Sequence, residues 1–161
     1  MVNLLLDADA LIKLNRAGVL DTIARTFACV VPHEVYREAV VEGISKGYPD
    51  AYSLKAIIDG QMTAARPVAA APDDSGARGG GDRAILSHYG LNPDYVVVSD
   101  DRGLLGALTR SGAAPVTPAA LIVESSRMGR VSVSEARQAL RRIRRIIRQD
   151  TYERALMDLE D

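Results

Sequence analysis

Residues 95–101 read Tyr-Val-Val-Val-Ser-Asp-Asp. Three consecutive β-branched residues, Val96 to Val98, lie between Pro93 and a polar, acidic stop. An apolar run this short, with no polar residue alternating into it, suits a strand covered on both faces, as in a parallel sheet. Val2 to Leu6 has the same form, with Leu4-Leu5-Leu6 stopped at once by Asp7, and Ala28 to Val31 is a third such run. Helical spacing fills the intervals. Ala8 to Ala17 carries Ala10, Leu11 and Leu14 on one face, and Leu20 to Phe27 follows Gly18. Pro32 stands at a first helical position, with Val35, Ala39, Val40 and Ile44 behind it and Gly47 closing. Further helices are expected over Ala51 to Ile58, Asp82 to Tyr89, Leu104 to Arg110 and Ala119 to Met128. Residues 63–81, with Pro67, Pro72 and Gly79-Gly80-Gly81, suggest a weak strand and then a loop, and Pro115-Val116 a last short strand. A final helix opens at Ser134, with Glu135 close behind as for an N-cap. Strands alternating with helices predict an α/β fold: a three-layer α/β/α sandwich around a mostly parallel sheet of four to five strands.

The chain of 161 residues suits one domain with a substantial core. Residues 1–130 are expected to form the α/β body, and 131–161 a basic helix and acidic tail of the same domain. The hydrophobic fraction of 47% and charged fraction of 25% exclude disorder as the default. With 4% aromatic residues and no Trp, an aromatic platform for stacking bases is not expected. A net charge of −1 gives no global pull toward nucleic acid or anionic lipid, so any such attraction must be local. Cys29, flanked by Ala28 and Val30, has no partner cysteine and reads as a core thiol suited to a reducing compartment. The first apolar run is too short for a signal or membrane segment and lacks a basic leader, so a cytoplasmic protein with no membrane association is expected.

The acids fall in a pattern. Asp7 ends the first strand and Ser99-Asp100-Asp101 the clearest central one, while Asp82 opens a helix after a glycine run. In open parallel sheets, ligand sites lie beyond the carboxyl ends of strands where adjacent crossovers diverge. Asp7 and the Asp100-Asp101 pair are therefore placed to converge, with Glu38 on the helix after the second strand able to complete the group. Clustered carboxylates repel unless a cation lies between them, and Mg²⁺ or Mn²⁺ prefers oxygen ligands. With only His33, His88 and one cysteine, a nitrogen- or sulfur-ligated zinc site is not expected. Each acid also has an ordinary structural use. Asp7 and Asp82 suit helix caps, Asp100 or Asp101 suits a turn into the next helix, and Glu38 shares a solvated face with Glu34 and Glu42.

Four segments carry a family resemblance: LLLDADALIKL (4–14), VPHEVYREAV (31–40), GGGDRAILSHYG (79–90) and VVVSDDRGLL (96–105). In this order they resemble the four motifs of PIN-domain ribonucleases, including VapC-type toxins, and GRVSVSEARQALRRI (129–143) is similar to the closing helix of one PIN subgroup. The resemblance implies Asp7, Glu38, Asp82 and Asp101 as catalytic acids. Asp7, Asp82 and Asp101 would be metal ligands, with Asp100 competing for or sharing the fourth-motif role. Ser99 and Asp9 would support them from behind. It implies a Mg²⁺- or Mn²⁺-dependent endoribonuclease acting on RNA, with an antitoxin protein as partner; a homodimer is the expected assembly. Two departures stand out: Asp82 where the third motif often has Glu, and Asp9 where the first usually has a small polar residue.

Two other functions compete. Asp7-Ala8-Asp9 after an apolar strand fits the nucleophile and general acid of a haloacid dehalogenase-like phosphatase, with Ser99-Asp100-Asp101 as its metal acids. That motif normally continues into Thr or Val, however, and neither Lys46 nor Lys55 lies where the family's lysine is needed. The other is a PIN-like scaffold that binds without cutting. Residues 137–148, RQALRRIRRIIR, place Ala136, Leu140, Ile143 and Ile147 on one face with arginines elsewhere. This suits a grip on phosphates or a solvated amphipathic helix packed on the domain. The acidic tail beyond it suits folding back on the arginines or capping a neighbouring subunit.

Overall fold

The computed structural model describes residues 2–68 and 79–161. Its centre is a four-stranded, all-parallel sheet of β1 (Asn3–Leu6), β2 (Ala28–Pro32), β3 (Thr63–Ala65) and β4 (Val96–Val98), in the order β3-β2-β1-β4. Leu5 pairs with Val30 on one side and Val97 on the other. Leu4, Leu5 and Leu6 are buried because helices cover the sheet, which is why β1 tolerates no alternating polar residue. The weak strand expected in residues 63–81 is present as Thr63–Ala65, at the edge of the sheet. Pro115-Val116 forms no full strand: Val116 makes a single parallel bridge to Val98, extending the sheet by one residue.

Helices α1 (Ala8–Arg16) and α2 (Leu20–Thr26) connect β1 to β2. The helix expected after Pro32 is present but changes its winding. It begins as α3 (His33–Tyr36), widens into a π-helical turn (Arg37–Val41), and resumes as α4 (Glu42–Ser45). In the wide turn the Glu42 amide donates to the Arg37 carbonyl, five residues back. The chain continues through α5 (Asp50–Gln61), α6 (Gly79–Leu91), α7 (Arg102–Arg110) and α8 (Pro118–Arg127). Helix α6 begins three residues earlier than expected and includes the glycine run; residues 66–68 have no regular structure, and 69–78 of the anticipated loop, with Pro72, lie outside the described residues.

The C-terminal part differs more from expectation. Helix α9 spans Val133–Ile143, and its N-cap is Ser132 rather than Ser134. The reason is spacing: Ser132 and Glu135 stand three apart, so the Ser132 hydroxyl accepts from the Glu135 amide (3.1 Å) while the Glu135 carboxylate accepts from the Ser132 amide (2.8 Å). The basic stretch is not one helix. It breaks at Ile143 into a 3₁₀ turn (Arg144–Ile146), and the acidic tail forms α10 (Gln149–Glu160). Ala136, Ala139, Leu140, Ile143, Tyr152 and Ala155 join the same hydrophobic core as the sheet. Helix α9 packs on α1 and α8, and α10 on α8 and α9. Gly18, after α1, has φ of 79°, a left-handed conformation suited to glycine, and the Arg142 guanidinium donates to the adjacent Ala17 carbonyl (3.1 Å).

Cys29 is buried, and burial pushes its thiol up to about 12, as a core cysteine requires. Among the described residues, no helix is long and apolar enough to cross a membrane. Leu5 is completely buried in the central strand, so Leu5→Ala is expected to lower unfolding stability by about 2–5 kcal/mol. Chemical denaturation measures this, and a loss below ~1 kcal/mol would contradict the placement of β1 at the centre of the core.

Candidate metal centre

The strand order places the first crossover on one side of β1 and β4 on the other. The carboxyl ends of β1 and β4 therefore bound the point where connections diverge. Asp7 leaves β1 there and caps α1, its Oδ1 accepting from the Ala10 amide (2.7 Å). Its Oδ2 accepts from the Ser99 hydroxyl (2.5 Å). Ser99 is fully buried, and its oxygen also accepts from the Asp101 amide (3.2 Å). One hydroxyl thus ties the end of β1 to the end of β4. Asp101 caps α7, accepting from the Leu104 amide (2.9 Å), and remains exposed.

Two further elements bring acids to the same place. Asp82 lies in the first turn of α6, and Glu38 lies in the π-helical turn. These elements meet closely. A Cβ on Gly81 would stand 2.5 Å from Glu38 Oε2, so any larger residue there would displace the Glu38 carboxylate. The result is a cleft of about 180 Å³ lined by Asp7, Asp9, Glu38, Asp82 and Asp101, with Ala8 and Gly81. The ordinary uses hold at the same time: Asp7 and Asp101 are helix caps that also line the cleft.

Asp100 does not line that cleft with them. Its side chain is 3% exposed, and Oδ2 accepts from Lys13 Nζ at 3.0 Å. Lys13 also pairs with Asp9 Oδ2 at 2.8 Å. Burial opposes the Lys13 charge, but the hydrogen bonds to Asp9 and Asp100 outweigh it and leave the ammonium more basic than an ordinary lysine. Lys13 was missed in the sequence reading, although Asp9 stands four residues before it, the spacing of a helical ion pair. Its long-range partner Asp100 had no local signal.

The electrostatics of the cleft are those of crowded, partly desolvated acids. Burial raises the Asp7 carboxyl to about 7. Hydrogen bonds from Ser99 and Ala10 pull it down, while the negative charges of Asp9 and Asp82 push it further up. Glu38 is also raised, by burial first and then by Asp82. Among the described residues, no three His, Cys, Asp or Glu are already placed as a set that could hold a metal ion. Like charges without a cation between them favour separation. The donor set is nonetheless all oxygen, which suits a hard divalent ion and not zinc.

Asp7 binds its proton more tightly folded than unfolded, so its contribution to stability is full below pH ~4 and is lost as pH rises through about 7. Asp7→Asn keeps a competent cap and removes the charge. In EDTA near pH ~8 the variant is expected to be more stable than wild type by about 1–3 kcal/mol, the gap closing toward pH ~4. Parallel pH–stability profiles of the two proteins would refute this.

A family model described as a PIN domain matches residues 3–161. Neither the curated proteins nor the solved structures include a match to the chain. PIN domains are generally nucleases and typically use divalent metals. With its four motif regions gathered at one end of a parallel sheet, the chain belongs to the PIN-domain family.

Proposed function

We propose that this protein is a metal-dependent endoribonuclease that hydrolyses RNA phosphodiester bonds with Mg²⁺ or Mn²⁺ in the acidic cleft. The observation that carries the reading is the convergence of Asp7, Asp9, Glu38, Asp82 and Asp101, from four separate parts of the chain, on one cleft. Asp7, Asp82 and Asp101 are the proposed metal ligands, and Glu38 completes the acidic group. When bound, the ion supplies Lewis acidity toward water and neutralises charge on the phosphodiester. Asp7 contributes a fixed carboxylate, oriented by the Ala10 amide and the Ser99 hydroxyl. Glu38, whose raised pKa suits proton transfer nearer neutrality, is the proposed acceptor of the proton from the attacking water. Asp100 acts through Lys13, which also holds Asp9, so this ion-paired network supports the site from behind.

The phosphatase alternative fits less well. It leaves Glu38 and Asp82, which line the same cleft as Asp7, without a role. Asp9, its general acid, would have to leave Lys13. A toxin role opposed by an antitoxin protein, a homodimeric assembly and a cytoplasmic location belong to the same proposal; they rest on the family resemblance and on composition.

Adding Mn²⁺ to about a hundredfold its Kd is expected to stabilise the wild type by about 2.7 kcal/mol, or roughly 5–10 °C in Tm. Asp7→Asn should lose that stabilisation, and its Mn²⁺-dependent cleavage of mixed RNA should fall by on the order of 100-fold or more. Unchanged cleavage by this variant would sink the proposal, and wild type that neither responds to Mn²⁺ nor cuts would leave a binding scaffold. Ser99→Ala leaves an Asp7 oxygen without its donor and is expected to weaken metal affinity about 10–100-fold. A metal titration followed by melting temperature measures it, and wild-type affinity in the variant would show that the hydroxyl does not position the ligand.

A further inference from the structure

The acidic cleft cannot attract RNA by itself, and the chain carries a net charge of −1. A nuclease of this kind needs its cations elsewhere, and they are concentrated on α9 and the turn after it. Arg137 and Arg141 lie four apart on α9, and Arg145 follows in the 3₁₀ turn beyond the break at Ile143. Arg141 and Arg145 are exposed and Arg137 is half-buried. Among the described residues, none of the three forms an ion pair or side-chain hydrogen bond. Their neighbours are engaged within the fold: Arg142 on the Ala17 carbonyl, and Arg144 over the Tyr152 ring at 5.4 Å.

Among the described residues, no acid of the tail pairs with these three arginines. In α10, Glu153 accepts from Gln149 (2.8 Å) and Asp158 pairs with Arg154 (3.2 Å). Asp150 accepts from the Thr151 amide (2.8 Å) and lies 4.0 Å from Arg148. Like charges four apart weaken a helix, so Arg137 and Arg141 cost the isolated protein stability, and with Arg145 they offer positive charge to an outside anion. Guanidinium groups match phosphate oxygens in geometry as well as charge. Arg142 fastens α9 to the C-terminal end of α1, whereas Asp7 caps the N-terminal end, roughly 15 Å away along the helix. Arg137 and Arg141 lie on that same α9, outside the residues that line the cleft.

We infer that Arg137, Arg141 and Arg145 form a docking row for the phosphate backbone of single-stranded RNA, separate from the acidic cleft that cuts it. The identity of the ligand rests on the nuclease reading above. The test is fluorescence anisotropy of a labelled single-stranded RNA in EDTA across a salt series, comparing wild type, the triple Arg→Gln variant and the triple Arg→Lys variant. The glutamine variant should bind more weakly, with the salt slope of log K smaller by about 0.7 per arginine, about 2 in all. The lysine variant should keep most of the slope. In Mn²⁺, the glutamine variant should show a raised KM for long RNA with kcat retained. Its melting temperature should not fall, because none of the three side chains holds the fold. Unchanged RNA affinity and slope in the glutamine variant would overturn the inference. So would a poly-glutamate peptide binding wild type more tightly than RNA does, since that would mark a protein-docking surface. Row-dependent RNA binding by a protein that cuts no RNA would leave the row standing and sink the nuclease reading instead.

Discussion

Ser99 holds the ends of the two central strands together by donating to Asp7 and accepting from the Asp101 amide. Through this hydroxyl, an acid from the first strand and an acid from the fourth are fixed in one place although they are more than ninety residues apart in the chain. The constraint is electrostatic as well as geometric. Asp7 is 3% exposed and has neighbouring negative charges, so its carboxylate form is disfavoured until something positive joins it. The fold tolerates that unfavourable charge because the surrounding core of Leu4 to Leu6, Val97 and Val98 is deeply buried and holds the strands in register. A stable scaffold carrying a locally unstable cluster is the usual arrangement of a site that works by binding an ion.

The cleft sorts its acids. Lys13 takes Asp9 and Asp100 and partly offsets their charge, whereas Asp7 and Asp101 cap helices at the cleft with their carboxylates. This division answers, in physical terms, which member of the Asp100-Asp101 pair faces the cleft. Asp100 turns inward to an ion pair, and Asp101 caps α7 at the rim. The wide turn around Glu38 adds a second device. A π-helical turn displaces the residues that follow it relative to a regular helix, and such turns recur at functional sites. Here it coincides with the approach of α6, where Gly81 leaves room for the Glu38 carboxylate.

Much of this was legible in the sequence because parallel central strands leave an unambiguous mark. Leu4-Leu5-Leu6 and Val96-Val97-Val98 must be apolar throughout, and the acids that end them must lie at the same sheet edge. What escaped has equally definite causes. No residue pattern signals the change from i−4 to i−5 hydrogen bonding at Glu42. The cap of α9 was misplaced by two residues because the three-residue interval from Ser132 to Glu135 was overlooked in favour of the nearer Ser134. The acids of the tail suggest a polar extension, yet Tyr152, Ala155, Leu156 and Leu159 repeat at helical spacing and bury α10 against the domain. The Lys13–Asp100 pair joins residues 87 apart, a contact that only the folded chain creates.

The most direct test of a cation shared by these acids is an anomalous-scattering map from a crystal grown or soaked with Mn²⁺. The expected result is a peak inside the cleft at coordination distance from Asp7 and at least one of Asp82 and Asp101, with the carboxylates drawn inward around it. A clean map in which Mn²⁺ is absent from the cleft, or bound only at unrelated surface carboxylates, would contradict the account.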